Sequence, residues 1–183
     1  VVKKLKDDYL TDTGIRSRFK REYNITKSLQ DASGIIQVYT FDEGNSSYTM
    51  EYAETTLDKY VKSFDLSDDI KLNCIRQIFH IMTEVHKRNI IHRDISANNI
   101  FIISGMIKIA DFGSTRLPAI NSTMTEYIAT RWYRPPECLL TSGDYGMAID
   151  IWAVGCVFYE MITKKPLFPG KNAIDQIQKI HEV

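Results

Sequence analysis

The segment NIIHRDISANNIFIISGMIKIADFG, residues 89–113, limits the fold more than any other part of the chain. Ile100–Ile103 and Met106–Ile109 are short apolar runs on either side of Ser104-Gly105, the pattern of two strands joined by a tight turn. A hairpin this apolar must be buried, yet Asp94 and Asn99 precede it and Asp111 follows it. Burying a carboxylate or an amide without a partner is costly, so these groups need one. A divalent cation holding a phosphate would meet that need, because Mg²⁺ prefers hard oxygen ligands.

The elements around the hairpin follow from hydrophobic periodicity. GMAIDIWAVGCVFYEMIT, residues 146–163, is apolar nearly all round, as a helix inside a core is, and Lys164-Lys165-Pro166 ends it. Ser67-Asp68-Asp69 starts a second helix, with acids in its first turn. Ile70, Cys74, Ile75, Ile78, Phe79, Met82 and Val85 follow at helical spacing as a buried stripe, and His86-Lys87-Arg88 closes it with His86 as a cap. Ile15–Leu29 reads as a helix with Ile15, Phe19, Ile25 and Leu29 apolar. Val1–Leu5, Ile35–Phe41 and Ser47–Tyr52 read as strands, and Ala173–Ile180 as a last helical run.

Composition bounds the function. The 183 residues suit one domain, and 44% hydrophobic with 25% charged is ordinary for a soluble globular protein. The 23 basic and 23 acidic residues cancel, so no global field points to nucleic acid or membrane. Cys74, Cys138 and Cys156 lack CxxC spacing, which suggests reduced thiols in the cytoplasm or nucleus, not a disulfide frame or a zinc site. No signal peptide is visible, and Asp150 and Glu160 interrupt the most apolar helix. Residue 1 is not Met and already lies in a strand, so the chain reads as a piece of a longer one.

His92-Arg93-Asp94 with Asn99, followed by Asp111-Phe112-Gly113, resembles the catalytic loop and metal-binding loop of the eukaryotic protein kinases. Thr125-Glu126-Tyr127 ahead of ATRWYRPPE, residues 129–137, resembles the mitogen-activated and cyclin-dependent group. The resemblance runs over essentially the whole chain. It implies an α+β, two-lobed fold truncated at both ends. Residues 1–52 would form a partial N-terminal β lobe with the αC helix, and residues 53–183 most of a mainly helical C-terminal lobe.

The resemblance also implies roles. Lys3 would bind the α- and β-phosphates of ATP and pair with Glu22, although alone Lys3 suits a surface and Glu22 an i,i+4 pair with Arg18. Met50 would be the gatekeeper, Glu51 and Ala53 would bind adenine through their backbone, and Phe101 would pack beneath it. Asp94 would receive or orient the substrate hydroxyl, and Asn99 and Asp111 would hold Mg²⁺. Thr125 and Tyr127 would be phosphorylated by an upstream activating kinase. Arg21, Arg93 and Arg116 would converge on the first phosphate, and Arg131 and Arg134 would receive the second. Thr130 would shape the floor for protein substrates, with proline preferred after the phosphoacceptor. Asp150 would bond back to the catalytic-loop backbone, with Trp152 and Gly155 packing closely. Nucleic acid and membrane are not implied, and oligomeric state is not addressed.

Three features depart from that pattern. Ser96 stands where serine/threonine kinases carry a lysine, Thr26 replaces an apolar residue one turn after Glu22, and no GxGxxG loop occurs. They leave a pseudokinase or binding scaffold as the alternative, and imply a slow kinase that binds nucleotide poorly over these residues. A small-molecule phosphotransferase would share the Asp-then-Asn loop, but would not need residues 125–137 as a protein-substrate platform.

Overall fold

The computed structural model describes residues 1–115, 128–141 and 145–183, with residues 128–130 described for the backbone alone. The first sheet has strands β1 (Val2–Lys4), β2 (Val38–Asp42) and β3 (Ser47–Met50), in the antiparallel order β1-β3-β2. Its register sets Lys3 opposite Tyr48, so both side chains leave the same face of the sheet. Helix α1 (Thr13–Ser28) lies on that face, started by Asp12, whose carboxylate accepts from the Ile15 N–H at 2.9 Å. The helix buries Phe19, Glu22 and Thr26, one stripe at helical spacing. Phe19 joins Val38 and Tyr48 in a small aromatic core.

Strand β2 starts at Val38, three residues later than the sequence pattern suggests. Ile35 and Ile36 serve a different purpose, tying the first sheet to the hairpin: Ile36 N–H donates to the Ile109 carbonyl at 3.1 Å, and Ile109 N–H to the Gly34 carbonyl at 2.8 Å. Gly34 has φ +85°, and a Cβ there would come within 2.3 Å of Ile81, so this crossing requires glycine.

The hairpin forms as its pattern indicates. Strands β5 (Ile100–Ile103) and β6 (Met106–Ile109) pair antiparallel, and β4 (Thr55–Thr56) adds to the β5 edge. Ser104 and Gly105 have φ of 50° and 75°, as a two-residue primed turn requires. Around it the described residues form α2 (Leu57–Ser63), α3 (Asp68–Lys87), α4 (Glu137–Leu140), α5 (Ala148–Thr163) and α6 (Ala173–His181). Ile78, Met82 and Val85 of α3 meet Val154, Val157 and Met161 of α5 in the main core.

Some packing expectations fail. Ile70 and Phe79 are each 43% exposed, because the α3 stripe is narrower than its apolar residues suggest. Among the described residues helix α5 is covered on one side: Ile151, Tyr159 and Ile162 are exposed, and Gly155 faces open space where close packing was expected. Trp152 does pack, stacking on Phe168 at 5.8 Å. Lys164 ends α5 in the left-handed region, with φ 59°. Among the described residues no helix is long and apolar enough to cross a membrane.

Candidate active site

Asp150, 1% exposed on α5, organises the loop ahead of the hairpin. Its Oδ2 accepts from the His92 N–H and its Oδ1 from the Arg93 N–H, each at 2.8 Å. His86 Nε2 also meets Oδ2 at 2.8 Å, so His86 is a half-buried link between α3 and α5 and not the helix cap its position suggested. These bonds hold Arg93 at φ 69°, a conformation that side chains other than glycine adopt at a cost. The imidazole of His92 is fully buried, donates from Nε2 to the Ala110 carbonyl at 3.0 Å and accepts the Asp94 N–H at Nδ1.

The loop sets Asp94 and Asn99 side by side. The Asn99 amide nitrogen donates to the Asp94 carbonyl at 2.8 Å and to its Oδ2 at 3.0 Å. Burial pushes the Asp94 carboxyl up to about 6, with help from the negative charge of Asp111 and against the opposing influence of the neighbouring His92. Arg134 adds a smaller positive influence. Ser96, within this loop, is only 3% exposed.

After β6 the chain turns sharply at Asp111, with φ 65° and ψ 60°. Phe112 is thereby buried completely, its ring meeting the edge of His92 at 4.7 Å. Asp111 stays partly exposed, its Oδ1 3.6 Å from the Lys3 ammonium. Lys3 Nζ donates to Glu22 Oε1 at 2.6 Å, and the Tyr48 hydroxyl donates to the same oxygen at 2.6 Å. Burial alone would lower Lys3, but the carboxylates of Asp111 and Glu22 outweigh it and hold the ammonium above its ordinary range. Thr26 is 2% exposed and its hydroxyl returns to the Glu22 carbonyl at 2.8 Å, so the polar residue in this apolar position is satisfied.

Met50 ends β3, and Glu51 and Ala53 follow it in the segment between the two sheets, all three half-buried. Glu51 is braced: its N–H donates to the Gln37 carbonyl at 2.9 Å, its carboxylate accepts the Gln37 N–H at 2.6 Å, and Lys108 Nζ stands 3.8 Å away. Phe101, half-buried on β5, lies in register between Thr56 and Lys108.

Arg21 reaches Thr115, donating to its carbonyl at 2.7 Å. Arg93 and Arg134 are half-buried, while Arg131 is 5% exposed and donates to the Lys171 carbonyl at 3.2 Å. Arg116, Thr125, Tyr127 and the Thr130 side chain lie outside the described residues. Beyond them the chain is stapled to α6. Trp132 Nε1 donates to the Gly170 carbonyl at 3.0 Å, and the fully buried Gln176 accepts the Gly170 N–H at 3.0 Å. Tyr133 donates to Glu160 Oε2 at 2.6 Å within the core.

Asn99 and Asp111 fit a hard cation. The Asn99 nitrogen is committed to Asp94, so its amide oxygen remains to face a metal, and Asp111 adds a carboxylate with access to solvent. Mg²⁺ is commonly bound by one or two such ligands with water and phosphate oxygens completing the shell. Sequence reasoning missed Tyr48, His86 and Gln176. Only Tyr48 had a readable signal, an alternating strand position on the face that also carries Lys3.

The model of the protein kinase domain family matches residues 1–183. The human protein named MAPK/MAK/MRK overlapping kinase is 37% identical over 169 residues, covering 89% of this chain and 40% of that protein. Cyclin-dependent kinase-like 4 of Mus musculus is 37% identical over 173 residues, covering 92% and 51%. Mitogen-activated protein kinase 5 of Arabidopsis thaliana is 42% identical over 135 residues, covering 73% and 36%. The chain thus spans about half or less of the length of each of these relatives.

Proposed function

Because the chain belongs to the protein kinase family, we propose that it transfers the γ-phosphoryl group of ATP to serine or threonine hydroxyls of protein substrates. The observation that carries this reading is the assembly of Lys3, Glu22 and Asp111, with Lys3 Nζ 2.6 Å from Glu22 and 3.6 Å from Asp111. Lys3, oriented by Glu22, binds the α- and β-phosphates. Met50, with the backbone of Glu51 and Ala53, frames the adenine, and Phe101 packs beneath it. Mg²⁺, held by Asn99 and Asp111, supplies charge neutralisation at the phosphate oxygens when bound. Asp94 orients the acceptor hydroxyl and takes its proton, and an affinity for protons near neutrality suits that task.

Phosphorylation of Thr125 and Tyr127 by an upstream kinase switches the enzyme on in this reading, with Arg21, Arg93 and Arg116 taking the first phosphate and Arg131 and Arg134 the second. Thr130 lines the substrate floor, and the preference is for proline after the acceptor. Residues 1–52 belong to the N-terminal lobe and residues 53–183 to the C-terminal lobe of one catalytic domain, acting in the cytoplasm or nucleus. Ser96 leaves the transferred phosphate without the lysine that usually faces it, which makes the enzyme slow.

The test is phosphoryl transfer to a generic protein substrate by the full-length protein, compared with Asp94→Asn. Transfer that depends on Asp94 supports the reading. No such transfer, even after phosphorylation of Thr125 and Tyr127, would favour the scaffold alternative.

A further inference from the structure

We propose that Tyr48 is a positioning residue of this site: its hydroxyl holds the Glu22 carboxylate, and through it helix α1 and Lys3, in the arrangement that receives the nucleotide phosphates. The β1–β3 register puts Lys3 and Tyr48 directly opposite each other, so both reach α1 from one face of the sheet. Their polar ends converge on a single atom, Glu22 Oε1, at 2.6 Å each.

The two donors are not equivalent. The Lys3 side chain is 36% exposed, so its ion pair is screened by solvent and weak as an anchor. Tyr48 is 4% exposed and Glu22 6%, so their bond is shielded, and breaking it would strand a buried carboxylate oxygen. The phenol also has a fixed aim. Phe19 lies 5.2 Å and Tyr23 5.6 Å from its ring, both on α1, so the ring moves only if the helix does. Burial and the Glu22 charge push the Tyr48 ionisation well above its usual range, which keeps the hydroxyl a donor. On the other side, Glu22 Oε2 stands 3.2 Å from where a Cβ on Gly113 would be, so the carboxylate is confined by the metal-binding loop as well. Glu22 is therefore caught between β3 and residue 113, with Tyr48 as its buried tether.

The kinetic arm of the test rests on the phosphotransfer reading; the exchange arm does not. Full-length wild type, Tyr48→Phe, Glu22→Gln and the double variant are compared. Tyr48→Phe keeps the ring and loses only the donor. Hydrogen bonds to charged groups are worth enough that KM for ATP should rise roughly tenfold while kcat changes less. In the Glu22→Gln background the same substitution should add almost nothing, because Tyr48 acts through that carboxylate. Hydrogen exchange at the α1 amides, which needs neither nucleotide nor catalysis, should speed up by about tenfold in Tyr48→Phe with amides of α3 and α5 unchanged. Unaltered α1 exchange in Tyr48→Phe overturns the proposal whether or not the protein transfers phosphate. Losses that multiply in the double variant overturn it too.

Discussion

Asp94 should destabilise the folded protein at neutral pH. Its carboxyl is raised from 3.8 to about 6, first by burial and then by the charge of Asp111, against the opposing influence of His92 and Asn99. The folded state therefore holds this proton more tightly than the unfolded chain does. Below about pH 4 both states are protonated and the group contributes nothing. Between about pH 4 and 6 the unfolded chain ionises while the folded state does not, and stability falls as pH rises. Above about pH 6 the full penalty stands. The interval is about two pH units, and at about 1.4 kcal/mol per unit it corresponds to roughly 3 kcal/mol, an upper figure for a partly accessible group. Asp94→Asn keeps the shape, and its side-chain oxygen can still accept from Asn99. Urea unfolding of the full-length wild type and variant across pH 4–8 reads the difference directly, since other titrating groups cancel. The variant should be more stable by about 2–3 kcal/mol at pH 8, the gap closing towards pH 4. A gap that stays constant with pH, or widens in acid, would refute the reasoning.

Three further outcomes follow from the geometry. Asp150→Asn leaves the His92 and Arg93 N–H groups short of an acceptor, and should lower unfolding free energy by about 2–4 kcal/mol in urea titrations. Gly170→Ala would place a Cβ 2.4 Å from Gln176 Oε1 and 2.6 Å from its Cα, so a loss of about 1–3 kcal/mol is expected in thermal melts, with the α6 amides exchanging faster. Ser96→Lys should raise kcat of the full-length protein by roughly tenfold or more, because one preorganised donor to the transition state is worth about that much or more. An unchanged kcat would mean another cation already serves the phosphate.

What the sequence made legible was whatever depends on local pattern or on a known arrangement of motifs. The hairpin was readable because Ser104-Gly105 interrupts two apolar runs, and the turn has the positive φ values that such a pair implies. The Lys3–Glu22 contact and the bonds from Asp150 to the loop backbone followed from the family resemblance, and both are present. Side-chain bonds across long separations that the resemblance did not imply were not readable. Tyr48 meets Glu22 across 26 residues and His86 meets Asp150 across 64, and neither partner carries a local pattern that names the other. Burial was misjudged where apolar content exceeded the covered surface, as at Phe79 and Ile162. Periodicity shows which residues share a helix face, but not how wide a face its neighbours cover.

Asp150 and Asp94 face opposite pressures if the lineage of this protein relaxes its need for catalysis. Loss of Asp94 removes an awkward half-buried charge, so drift there meets no folding barrier and even improves yield of the native state. Loss of Asp150 releases His86 and the His92 and Arg93 amides together, and costs the fold the stability that those bonds supply. Descendants that abandon chemistry and survive as binding proteins should therefore shed the first acid and retain the second. In this architecture the carboxylate proposed for catalysis is the expendable one, and the acid that ties the loop to α5 is inherited with the fold.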